Sequence, residues 1–219
     1  MKIVCKAMTQ PIDVETSPTS SDFIAYCARV SNPNNQANNA TSQKLIDYLI
    51  REAHWSPLEM VNVVYEIETT RDIARQILRH RSFSFQEFSQ RYADASELGM
   101  EVRETRLQDT KNRQNSIKTD DDELSMAWTM KQQQLQHETG LAYKWALENG
   151  IAKEQARAVL PEGMTMSRMY MNGTVRSWLH YIKLRIGNGT QLEHQEIARA
   201  LRDDLANRIP AVRDWLNAL

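Results

Sequence analysis

The sequence has few of the residues that staple or punctuate a fold. Its 219 residues include two cysteines, seven glycines and six prolines. Cys5 and Cys27 form no C-x-x-C pair, so neither a structural zinc site nor a disulfide framework is expected, as suits a reducing compartment. The low glycine count points to a chain rich in helix. No apolar run is long enough to span a membrane, and after Lys2 only a few apolar residues follow, too few for a signal peptide. The expectation is a soluble, cytoplasmic protein. An excess of either charge is also missing: 27 Lys and Arg balance 28 Asp and Glu, for a net charge of −1. That argues against general binding to nucleic acid or to an anionic membrane, although positive charge can still gather in a pocket. There is no G-x-x-x-x-G-K-[ST] phosphate loop. GNGT at 187–190 lacks the third glycine and the preceding strand of a dinucleotide fingerprint. The histidines at 54, 80, 137, 180 and 194 never fall four apart, so no metal site is expected, and neither cysteine stands in a nucleophile context.

What is present is enough for one sizeable domain, taken as 1–219. Residues 1–8 read as a short strand. Ser20 or Ser21 is placed to cap a helix carrying Phe23, Ile24, Cys27 and Val30 on one face. Residues 31–43 read as a polar loop and 45–53 as a helix. Val61, Val63, Tyr65 and Ile67 alternate as in a strand, and 71–81 reads as a helix begun at Thr69 or Thr70. Residues 108–123 are polar without apolar rhythm and read as an exposed, mobile loop. A long helix over 124–150 stops at Asn149-Gly150. A short helix over 153–161 stops at Pro161. A strand over 164–173 closes in an Asn-Gly turn, followed by a helix over 174–185. Thr190 and Glu193 are spaced as a capping box for the next helix, and a last short helix follows Pro210. Without a βαβ rhythm, these elements predict an α+β fold: a small, mainly antiparallel sheet packed by helices.

The chemistry concentrates in RHRSFSFQEFSQRY, residues 79–92. On a helix Gln76 shares a face with Arg79 and His80. If 87–91 is extended, Glu87, Ser89 and Arg91 point the same way. A carboxylate, a hydroxyl and guanidinium forks suit a phosphorylated nucleoside, because Arg binds phosphate oxygens in bidentate fashion. Basic residues at a helix C-terminus also complement its dipole without any ligand. The Ser-x-Arg pair eight residues further on favours the binding reading.

Arg79-His80-Arg81, seven residues, then Ser89, Gln90 and Arg91 resembles the signature of the flavin-dependent thymidylate synthases. HWSPLE (54–59), ARQILRHR (74–81), EQARAVLP (154–161) and NGTVRSWLHYIKLR (172–185) resemble further segments of that family, in family order, from about residue 26 to about residue 200. The resemblance implies methylation of deoxyuridine monophosphate (dUMP) to thymidylate. Methylene-tetrahydrofolate would supply the carbon, reduced FAD the hydride, and NADPH the electrons for the flavin. It implies that Gln76, Arg79, Glu87, Ser89, Gln90, Arg91, Arg157 and Arg185 hold the nucleotide, with Arg185 the catalytic residue at the uracil ring. It further implies that Ser56, Glu59, Arg79, His80, Arg81, Thr174, Arg176, His180 and Leu184 hold FAD, and that His54 assists the folate or flavin site. His54, before a Ser-Pro turn, is also placed as a cap. Arg176, His180 and Leu184 form one helical stripe; at His180 some relatives carry Asn. The resemblance implies a homotetramer with active sites between subunits. Trp178 and Trp145 are expected in the core or at subunit contacts.

Two other readings remain: a nucleotide- or RNA-binding module without turnover, and a related flavoenzyme placing a different one-carbon group on a uracil nucleotide. Balanced charge disfavours the RNA reading. The presence of both the flavin and the nucleotide residues disfavours an inactive module.

Overall fold

The computed structural model describes residues 1–219. In chain order the elements are β1 (Lys2–Met8), α1 (Ser20–Ala28), α2 (Ser42–Arg51), β2 (Asn62–Thr70), α3 (Arg71–Ile77), β3 (Ser84–Glu87), β4 (Arg106–Gln108), β5 (Ser116–Lys118), α4 (Asp122–Glu148), α5 (Lys153–Ala156), β6 (Met166–Thr174), α6 (Val175–Ile186), α7 (Leu192–Arg208) and α8 (Arg213–Asn217). Four strands form one antiparallel sheet in the order β1-β2-β6-β3. The α+β expectation is met.

The alternation in β2 explains where the core lies. Val63, Tyr65 and Ile67 are fully buried, with Met169 and Met171 of β6 beside them. Successive strand side chains point to opposite faces, so this set makes one apolar face. Trp178, Leu179, Tyr181 and Ile182 of α6, and Ile197, Leu201 and Leu205 of α7, complete the same core. Two polar bonds lock the helices to β2: the Trp178 indole N–H donates to the Val63 carbonyl at 3.1 Å, buried, and the Tyr65 hydroxyl donates to Asp204 at 2.8 Å, partly buried.

Several expectations are corrected. Helix α1 is capped by Thr19, whose hydroxyl accepts the Asp22 N–H at 3.1 Å, while the Ser20 hydroxyl donates to the Thr9 carbonyl. The helix ends at Ala28, so Val30 is exposed rather than on its apolar face. The 31–43 loop contains two short 3₁₀ turns and passes into α2 at Ser42. Residues 106–118 form the β4–β5 hairpin and α4 begins at Asp122, so 108–123 is not a structureless loop. Helix α3 ends at Ile77, which leaves Arg79-His80-Arg81 in the connection to β3. Asn172-Gly173 is no turn: both residues pair within β6, Asn172 with Val64 and Ser84, and Gly173 with Val63. Gly173 is required because the Phe83 ring lies where a Cβ would stand. Thr190 and Glu193 form no capping box, since the N-cap of α7 is Gln191 and no side chain caps it. Glu193 instead binds Arg103 and Arg106.

Candidate active site

The arginine connection is held against the start of α6. Thr174 caps that helix, its hydroxyl oxygen accepting the Ser177 N–H at 3.2 Å. The Ser177 hydroxyl in turn donates to the Ser82 carbonyl at 3.1 Å. Phe83 packs edge-on against Trp178 with ring centroids 4.7 Å apart. These contacts fix the Ser82–Phe83 end of the connection against buried residues of α6.

Tyr181 and Arg185 lie one turn apart on α6, and each meets a histidine. Arg185 Nε–H donates to His80 Nε2 at 2.8 Å. This is its only side-chain hydrogen bond, and no carboxylate stands within 4 Å. His80 is pushed down to about 4 by burial and by the Arg185 and Arg79 charges, so it is neutral at neutral pH. The Tyr181 hydroxyl stands 2.9 Å from His194 Nε2, and His194 Nδ1 stands 3.3 Å from the Gln76 carbonyl. The Gln76 Nε2–H donates to the side-chain Oε1 of Gln191 at 2.8 Å. His194 is fully buried and is pushed down to about 3 by burial, then by Arg185 and His80.

The remaining nucleotide candidates, and Arg81 of the flavin set, lie outside this hydrogen-bond chain. Arg79 and Arg81 are exposed and form no ion pair. Glu87, at the end of β3, faces Arg71 at 3.6 Å and accepts the Ser167 hydroxyl at 2.8 Å. The chain then turns, with the Ser89 carbonyl accepting the Tyr92 and Ala93 N–H groups. Glu87, Ser89 and Arg91 therefore do not share an extended face. Arg91 pairs with Glu154 at 3.5 Å. Ser89, Arg91, Tyr92 and residues 152–154 line an open cleft of about 460 Å³. Gln90 is buried and its Nε2 has no partner. Arg157, half-buried, opens the 3₁₀ turn that follows α5. No hydrogen bond or ion pair of Ser89, Gln90 or Arg91 reaches the Arg185 corner.

On the flavin side, Ser56 and Glu59 form a 3₁₀ turn, and Glu59 pairs with Arg176. His180 meets Trp55 edge-on at 4.6 Å, and Trp55 meets Trp215 at 6.4 Å. Burial, then Arg176 and Lys183, hold the His180 imidazole below its usual range. Leu184 is exposed on the same stripe. His54 is exposed, follows the left-handed Ala53 at the end of α2, and meets Tyr48 edge-on at 6.0 Å. It is not the cap, because Trp55 occupies that position. Trp178 is core, whereas Trp145 is exposed on α4.

Sequence reasoning missed His194, Tyr181, Gln191 and Trp55. The i, i+4 spacing of Tyr181 and Arg185 on an expected helix was the one available signal; nothing linked His194 to a residue 118 positions away.

Comparison with known proteins identifies the family. The family described as thymidylate synthase complementing protein matches residues 14–211. The chain is 46% identical over 213 residues to a probable flavin-dependent thymidylate synthase of Paramecium bursaria Chlorella virus 1, covering 96% of this chain and 97% of that protein. It is 49% identical over 208 residues to the flavin-dependent thymidylate synthase of Synechocystis sp., covering 94% of each. The fold is shared, at TM-score 0.83 and 24% identity, with a crystal structure of a UMP/dUMP methylase from Streptomyces cacaoi bound with 5-Br dUMP, over 100% of this chain and 95% of that one. The chain belongs to the thymidylate synthase complementing protein family, that of the flavin-dependent thymidylate synthases.

Proposed function

We propose that the chain makes thymidylate by reductive methylation of dUMP, with methylene-tetrahydrofolate as carbon donor, FAD as resident flavin and NADPH as its reductant. The observation that carries this reading is Arg185, a half-buried cation whose partner is a neutral imidazole rather than a carboxylate. Its charge is left uncompensated for an anion. In this reading Arg185 lies at the uracil ring and stabilises negative charge as it develops there. A guanidinium, with a pKa of about 12 or more, is no general base, so its contribution is electrostatic.

Arg79, Arg157, Arg91 and the Ser89 hydroxyl hold the phosphate, with Gln76, Glu87 and Gln90 supplying the remaining nucleotide contacts. Ser89 binds rather than attacks, since no base faces its hydroxyl. The orphaned Gln90 amide nitrogen fits a site that a ligand completes. The residues present also fit FAD. Unpaired Arg79 and Arg81 suit a diphosphate. Ser56, Glu59, His80, Thr174, Arg176, His180 and Leu184 offer polar and apolar contacts along one side of α6, with His54 beside that turn for the flavin or the folate. When bound, the flavin supplies the hydride; the chain's own residues orient it and hold the nucleotide.

The assembly in this reading is a homotetramer of single-domain chains, 1–219, with each site completed between subunits. Two observations support it. The Ser89–Arg91 cleft and the Arg185 corner share no hydrogen bond or ion pair within one chain. Helix α4 also leaves Met126, Met130, Leu141 and Trp145 exposed on one side, apolar surface of the kind that marks contact surfaces. The unpaired thiols of Cys5 and Cys27 suit the reducing cytoplasm as its location.

An anaerobic absorbance experiment tests the reading. Flavin bands of the purified protein should bleach with NADPH and return on adding dUMP and methylene-tetrahydrofolate, with thymidylate formed. Failure to retain flavin when FAD is in excess would overturn the assignments at 56–59, 79–81 and 174–184 together.

A further inference from the structure

Buried hydrogen-bond chains have a direction, and here one residue sets it. Tyr181 is almost wholly buried, and its hydroxyl has no hydrogen-bond partner except His194 Nε2. Were that nitrogen protonated, the tyrosine O–H would be a buried donor without an acceptor, at a cost of roughly 1–3 kcal/mol. The hydroxyl therefore donates, Nε2 is bare, and the proton of the neutral imidazole resides on Nδ1. Nδ1–H can then only donate to Gln76, which turns the Gln76 carbonyl inward. On the other side of the amide, Nε2 donates one hydrogen to Gln191. A primary amide carries two N–H groups, so one remains uncommitted. Without this chain both ends of the glutamine would be equally available, and its amide could turn over.

We infer that His194 is a positioning residue for the nucleotide: its Nδ1–H holds the Gln76 carbonyl, so that Gln76 presents a donor, and never an acceptor, to an oxygen of the substrate. This rests on the reading that Gln76 contacts dUMP. His194 itself is fully buried behind Gln76. Its neutrality, enforced by burial and by the nearby arginine, keeps Nε2 bare across the physiological range. The same corner contains a second case of this arrangement, in which neutral His80 accepts from Arg185 and so fixes the guanidinium.

The test is calorimetric titration of the flavin-loaded enzyme with dUMP. His194→Phe preserves the ring and removes the donor; dUMP Kd should rise about tenfold, the loss of one oriented hydrogen bond. His194→Asn restores a donor near the Nδ1 position and should stay within about threefold of wild type. Combined with Gln76→Ala, the Phe variant should add little, because both remove the same contact. Tyr181→Phe removes one oxygen, and with it the group that sets the direction; it should weaken dUMP by about threefold and serves where the His194 variant does not fold. Additive effects of His194→Phe and Gln76→Ala, or wild-type affinity in His194→Phe or Tyr181→Phe, would overturn the inference and leave the proposed activity standing. Absence of dUMP binding in the wild type would overturn both.

Discussion

Two neighbours in the first turn of α7 illustrate two ways to live beside arginine. Glu193 faces Arg103 at 3.1 Å and also pairs with Arg106, while Arg103 reaches Asp72 at 2.7 Å. Burial pushes the Glu193 carboxyl up, but its own backbone N–H together with Arg103 and Arg106 outweighs that, leaving it below the usual range. There, every cation has a carboxylate, and the cluster ties the 103–106 segment to α3 and α7. His194, the next residue, belongs to the corner where Arg185 has no carboxylate and both histidines are held neutral. The difference separates a structural from a functional arginine: compensated charge holds the fold together, and uncompensated charge is available to a ligand.

The largest effect expected from breaking this contrast is at Arg185. Arg185→Ala should reduce thymidylate formation on the order of 10³-fold while flavin remains bound. Single-turnover product analysis beside an absorbance spectrum reads both quantities, and near-normal turnover would remove the catalytic assignment. The structural side should respond the other way. Glu193→Ala removes the carboxylate shared by two mostly buried guanidinium groups, leaving Arg103 with Asp72 and Arg106 with Glu104 at 3.9 Å, and should lower unfolding free energy by about 2 kcal/mol. Urea denaturation measures that, and dUMP affinity should stay within about threefold of wild type; lost affinity with unchanged stability would invert the comparison.

A smaller effect sharpens the contrast by pH. The unfolded His194 imidazole takes a proton near 6.5 and the folded one only near 3. Acid therefore favours the unfolded chain. Stability from this group is complete above about pH 6.5 and declines as pH falls towards about 3. Between about pH 7 and about pH 5 the loss is about 2 kcal/mol. His80, held near 4 but half-exposed, acts in the same direction and more weakly. Urea melts at the two pH values should show a smaller acid loss in His194→Asn than in wild type; equal losses would mean that this histidine is not held neutral.

The segments carrying the family signature were legible because their spacing is local. The helix over 175–186 and the strand over 62–70 were legible from periodicity, and the stripe Arg176, His180, Leu184 followed directly. The β4–β5 hairpin was hidden because its strands are short and mostly polar, so no alternation marks them. Asn172-Gly173 was misleading in isolation: the pair usually signals a turn, but here the glycine is required by a ring from another segment. Glu87, Ser89 and Arg91 were read as one face because strand spacing was extended past the residue where β3 stops. Glu193 was read as a cap because capping boxes are defined by sequence, whereas its arginine partners lie about 90 positions away.

The seat of Phe83 over Gly173 has a consequence for the length of the chain. The connection from Ile77 to β3 is anchored at both ends, by α3 on one side and by this ring on the other. A one-residue insertion anywhere between would have to bulge outward at the arginines or lift Phe83 from its place, and the side chains of β3, which alternate by two, would then turn to the opposite face of the sheet. The six residues from Leu78 to Phe83 thus act as a ruler. Their number, as much as their chemistry, decides how far Arg79 and Arg81 stand from Arg185.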